Sequence, residues 1–142
     1  MSEITGNRKT RIIPEITDAE YQAKYIESLS NYQNGEWNLS LDGFKFLIQA
    51  DGNNQLADNC QYWIGEIYYS QKDFKRAIAE FERVFHYADT DKHDDAQLKI
   101  GLSYQSLGNI DKAREEFKRL IDHFPGSEFY PKAKDAFKQL SM

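Results

Sequence analysis

One unit is written three times in this chain, and that constrains the fold more than any composition figure. Aligning Tyr21 with Asp58 and Asp94 stacks KYIESLSNYQNGEWNLSLDGFKFLI from Lys24, QYWIGEIYYSQKDFKRAIAEFERVF from Gln61 and QLKIGLSYQSLGNIDKAREEFKRLI from Gln97. The offsets are 37 and 36 residues. A unit of this size cannot bury its apolar face alone, so successive copies must stack on one another.

The matches have physical content. Counted from Tyr21, Asp58 and Asp94, the eighth position is Ser28, Gly65 and Gly101, and the twentieth is Ser40, Ala77 and Ala113. Small residues at both places let two helices approach closely in a hairpin, and the two sets are expected to face each other. The twenty-fourth position is Phe44, Phe81 and Phe117, and the twenty-seventh is Leu47, Val84 and Leu120. The turns repeat too. Gly35 and Gly108 end two of the first helices, where a left-handed residue costs least, and Asp73 and Asn109 are suited to cap the helices that follow.

This pattern resembles the tetratricopeptide repeat family over roughly residues 21 to 125. Gly65, Tyr68, Ala77 and Phe81 in the second copy stand at the family's signature positions, as do Gly101, Tyr104, Ala113, Phe117 and Pro125 in the third. The fourth position departs from the family's frequent Trp, being Lys24, Gln61 and Gln97, and the first copy has Glu27 and Asn31 where apolar groups are usual. The resemblance implies an all-α, right-handed α-solenoid of three helix–turn–helix hairpins, over about 21–54, 58–91 and 94–125. Residues 126–142 add a capping helix, with Ser127 as its N-cap and Ala133, Ala136, Phe137 and Leu140 on its apolar side, which makes seven helices. Residues 1–17 carry no helical or strand periodicity and read as a flexible leader.

Charge and composition exclude several functions. The net charge is −5, and no basic stripe of the kind that tracks nucleic acid is present. No stretch approaches the roughly eighteen apolar residues of a membrane span, and the first twenty residues hold no signal-peptide core. Cys60 is the only cysteine, so no internal disulfide forms. It lies in a first helical turn, where a thiol can be activated, but as one isolated small residue it is expected to be core. Asp89–Asp95 is acidic like a calcium loop, yet Asp94 and Ile100 stand where an EF-hand requires Gly and Glu. His86, His93 and His123 are scattered without a nucleophile partner, and no glycine-rich phosphate loop exists. The sequence therefore predicts no enzyme, no metal and no cofactor.

What remains is surface. The resemblance assigns a concave groove to the second, fifth, ninth and twelfth positions of each copy. These are Gln22, Tyr25, Leu29 and Tyr32; Asn59, Tyr62, Glu66 and Tyr69; and Asp95, Leu98, Leu102 and Gln105. Four tyrosines and three leucines in one groove suit contact with a protein or peptide. The family's clamp for acidic chaperone tails uses basic and amide groups, and at the matching places only Lys99 is basic. An apolar or Pro-containing extended segment, or a partner helix, is the expected ligand. Trp63 falls between core and groove.

The string from Gln55 to Val84, QLADNCQYWIGEIYYSQKDFKRAIAEFERV, with Gly35-Glu36-Trp37 before it and Phe124-Pro125-Gly126-Ser127 after, resembles the Tol-Pal system coordinator family. That resemblance implies a periplasmic scaffold of bacterial cell-envelope division that contacts Tol-type envelope proteins. The alternative is a cytosolic adaptor or assembly factor built on the same repeats. The oligomeric state is left open.

Overall fold

A computed structural model describes residues 15–142. The first fourteen residues of the expected leader lie outside the described residues. Seven α-helices follow: α1 Asp18–Gln33, α2 Trp37–Ala50, α3 Ala57–Ser70, α4 Phe74–Arg83, α5 His93–Ser106, α6 Ile110–His123 and α7 Tyr130–Leu140, with a 3-10 turn Val84–His86 extending α4. Each helix packs on the next one in the chain. This is the all-α solenoid expected from the repeats: three hairpins, α1/α2, α3/α4 and α5/α6, closed by α7.

The helix ends have local causes. Thr17 and Glu20 form a reciprocal capping box that starts α1. Asp73 and Asn109 accept hydrogen bonds from the amides of Arg76 and Lys112 at the starts of α4 and α6. The three hairpin turns are one structure. The amides of Glu36, Asp73 and Asn109 reach back to the carbonyls of Asn31, Tyr68 and Tyr104 at 2.8, 2.9 and 3.0 Å. The residue before each is left-handed: Gly35 at φ 75°, Lys72 at φ 61° and Gly108 at φ 79°. Lys72 holds a conformation that L side chains rarely adopt, because the repeat demands it. Ser127 departs from expectation. Its hydroxyl accepts from the Phe129 amide and donates to the Asp94 carboxylate, so it shapes the approach to α7 and ties it to α5, while α7 itself begins at Tyr130 with no side-chain cap.

The core repeats with the sequence. In the second and third hairpins the small eighth position also receives the ring at the twenty-fourth, while in the first it meets the small twentieth as expected. A Cβ on Gly65 would lie 2.6 Å from the Phe81 ring, and one on Gly101 would lie 2.7 Å from Phe117. Both rings are fully buried. The first hairpin solves the same problem differently. Ser28 occupies the eighth position and its hydroxyl would collide with any Cβ at residue 43, which is why Gly43 suits that place. Ser40 donates to the Ser28 carbonyl at 2.8 Å and locks α1 on α2.

A second repeated feature is polar. Gln61 donates to both the carbonyl and the carboxylate of Glu80, at 2.8 and 2.9 Å. Gln97 does the same with Glu116, at 3.0 and 2.7 Å. The fourth position of these hairpins is thus a tie between the first and second helix, satisfied inside the stack. In the first hairpin the pair is Lys24 and Gly43, and Gly43 has no carboxylate to complete the tie.

Candidate functional site

The groove residues lie on α1, α3 and α5, whose corresponding faces are brought side by side by the stacking. Tyr25, Leu29 and Tyr32 come from α1, Asn59, Glu66 and Tyr69 from α3, and Leu102 from α5; all are half-buried. Gln22 and Gln105 are exposed at the rim. Tyr62 and Leu98 differ from the expected groove surface, being only 5 % and 2 % exposed. Tyr62 packs on Phe81, ring centroids 5.8 Å apart, and Lys99 from the next hairpin lies over its face. Leu98 joins the cluster that includes Phe117 and Ala133. Both support the face from beneath.

The residue that organises the face is Trp63. Its indole N–H donates to the Tyr25 hydroxyl at 3.0 Å, and its ring lies 5.0 Å from Tyr32 and 5.5 Å from Tyr62. Tyr32 in turn sits 5.3 Å from Trp37 and its hydroxyl pairs with Ser70 at 2.9 Å. Trp63 occupies the sixth position of its hairpin, and Lys99 occupies the sixth of the next. Each packs on the fifth, ninth or twelfth residues of the hairpin before it. The sequence signal was the shared register of Trp63 and Lys99, which marks an inter-hairpin position the four groove positions omit.

Lys99 forms the polar centre. Its ammonium lies 2.7 Å from Glu66 and 3.7 Å from Asp95, with these side chains 18, 14 and 24 % exposed. It also stands 5.7 and 5.4 Å from the centroids of Tyr62 and Tyr69, and donates weakly to the Tyr62 hydroxyl at 3.4 Å. Burial, then the negative charges of Glu66 and Asp95, push the Tyr62 hydroxyl well above its ordinary range, so it stays protonated. One cation shared by two carboxylates has little positive field left for an anionic ligand.

Cys60, His93, Asp94 and Asp95 have structural surroundings of their own. Cys60 is fully buried, and burial pushes its thiol up to about 12, the reverse of an activated nucleophile. The His93 ring stacks on Phe85 at 5.1 Å and its Nε2 meets the Tyr87 carbonyl at 2.8 Å. In the acidic stretch, Asp94 accepts from Ser127 and Asp95 faces Lys99. Among the described residues no helix is long and apolar enough to cross a membrane.

Comparison with known proteins agrees with the architecture. Two family profiles, each described as a tetratricopeptide repeat, match residues 59–89 and 95–127. A search of curated proteins finds no match. Among solved structures, PcrH from Pseudomonas aeruginosa is similar with a TM-score of 0.76 at 12% identity, over 94% of this chain and 100% of that one. The first TPR of Spaghetti (RPAP3) bound to the HSP90 peptide SRMEEVD gives 0.70 at 13% identity, covering 89% and 94%. The Arabidopsis OM64 TPR domain gives 0.67 at 18% identity, covering 84% and 93%.

Proposed function

We propose that this chain, a tetratricopeptide repeat domain, is a non-catalytic protein-interaction module that holds a segment of a partner protein against the concave face of α1, α3 and α5. The observation that carries the reading is the set of half-exposed rings, Tyr25, Tyr32, Trp63 and Tyr69, held in place by one another and by Ser70 and Lys99. Rings already fixed before binding lose little entropy when a ligand covers them. The similar domain named above holds a peptide ending in EEVD. Here the central cation is already neutralised by Glu66 and Asp95, so the fitting ligand is an apolar or Pro-containing extended segment or a helix, without an acidic tail.

Peptide selection on the full chain from a randomised library tests this. Apolar or Pro-containing sequences are expected, with binding weakened about tenfold by Tyr69→Ala or Trp63→Ala while the fold is kept. Enrichment of acidic C-terminal tails, or indifference to both substitutions, refutes it. Within this reading, the resemblance of residues 55–84 to the Tol-Pal coordinator family supports a periplasmic scaffold for a Tol-type envelope protein. A cytosolic adaptor is the alternative, and fractionation of the source cells separates the two.

A further inference from the structure

Among the described residues the first hairpin has one face without a neighbouring hairpin, and the two later hairpins show what such a face receives. Between α2 and α4 runs a shallow groove of about 250 Å³, with Gln61, Ile64, Glu80 and Arg83 on the α3/α4 side and Lys45 and Ile48 of the preceding hairpin as its other wall. Between α4 and α6 the same groove recurs at about 330 Å³, formed by Gln97, Ile100, Glu116 and Arg119 against Glu82 and Phe85. The residues are equivalent one for one. The first hairpin has the third member of the series, containing Lys24, Glu27, Gly43 and Phe46, and it measures about 730 Å³. Among the described residues no helix supplies the wall that α2 and α4 supply to the hairpins after them.

The side chains have changed to match. On the outer face of the second helix, repeats two and three carry Arg76 and Arg83, and Lys112 and Arg119; the first carries Leu39 and Phe46 at the same positions. Leu39 is 58 % and Phe46 45 % exposed, and Ile26, whose counterparts Trp63 and Lys99 pack on a preceding hairpin, is 57 % exposed. A merely solvated end would be polar at these places. Among the described residues, Glu15, Glu20, Glu27 and Asp42 stand around the apolar strip, against one cation, Lys24, which is paired to Glu27 at 3.4 Å.

We infer that this end is a second binding site, distinct from the concave face, for an amphipathic helix of a partner chain that takes the place of a preceding hairpin's second helix. Its apolar stripe meets Leu39, Phe46 and Ile16, and its flanks carry Lys or Arg to answer the four carboxylates. The internal hairpins supply the geometry, since α2 on α3 and α4 on α5 are the same arrangement within one chain.

The test uses the full chain and a labelled helical peptide of about four turns, with leucines at i, i+3, i+4 and i+7 and Lys/Arg flanks, beside a twin with Glu flanks. Expected are binding of the cationic peptide over its twin, a loss of about tenfold or more in the Leu39→Arg/Phe46→Arg double variant, and no change in Tyr69→Ala. That double variant restores the basic pattern of the later repeats at exposed sites, and unchanged circular dichroism confirms that it folds. Equal binding of the twin, or full binding by the double variant, overturns the proposal. So does self-association of the chain that the double variant abolishes, since a second copy is then the occupant. Tighter peptide binding after charge reversal of Arg8, Lys9 and Arg11 also overturns it, because residues 1–14 then compete for the face.

Discussion

The first hairpin and the two that follow share a backbone and differ in how they use it. In the second and third, a Gln at the fourth position ties down a Glu at the twenty-third, a Gly receives a Phe ring, and a polar residue caps the second helix. In the first, Lys24 replaces the Gln, Gly43 replaces the Glu, Ser28 replaces the Gly, and Glu36 makes no side-chain cap. These changes go together. Once Ser28 occupies the eighth position, residue 43 has no room for a side chain, and the tie is lost with it. The difference teaches that, among the described residues, the second and third hairpins have helices packed on both sides and the first on one, and that the first is apolar at Leu39 and Phe46 where the others are basic.

The largest effect that can break this comparison lies at the rings. Phe81→Ala and Phe117→Ala empty buried sites against a glycine that cannot collapse inward, and each should cost about 3–5 kcal/mol in chemical denaturation. Next come the ties. Gln97→Ala removes both hydrogen bonds to Glu116, which is 7 % exposed, and should cost about 1.5–3 kcal/mol. Lys24→Ala at the equivalent place of the first hairpin should stay within about 0.5 kcal/mol. Equal costs would mean that the ties are ornament and that the hairpins do not differ in fastening.

A pH series sharpens the same point at the junction of the first and second hairpins. Folding keeps the Cys60 thiol neutral up to about 12, against an ordinary value of 9.0. The unfolded chain releases that proton first. Stability from this group is therefore complete below pH 9 and is lost as pH rises toward 12, at up to about 1.4 kcal/mol per pH unit. Buried tyrosines such as Tyr62, raised from their ordinary 10.0, add to the fall above pH 9, so Cys60→Ala should make it shallower without abolishing it. An unchanged slope would place the thiol in solvent. The smallest effect belongs to the turns: Lys72→Gly gives the second turn the residue of the other two and should stabilise by about 0.5–1 kcal/mol.

Much of the fold was legible because its causes are local and written three times. The turn glycines, the caps Asp73 and Asn109 and the alternation of small and large residues each carry a signal within one copy. What was not legible depends on neighbours. Tyr62 and Leu98 occupy groove positions by register, yet they are buried because other helices cover them. Trp63 could not be assigned from its own helix, since its partners Tyr25 and Tyr32 belong to the preceding hairpin. The small residue at Gly65 did not by itself show that the space left by its missing Cβ is taken by the Phe81 ring. Nothing in a lysine announces the left-handed backbone of Lys72; only the two glycines at the equivalent places do.

The most direct test of the account is an amide chemical-shift map of the full chain on titration with a library-selected peptide. Perturbations concentrated on α1, α3 and α5 around Tyr32, Trp63, Tyr69 and Leu102 are predicted, with α4 and α6 little changed. Shifts confined to α2, α4 and α6 would contradict the concave face as the binding surface.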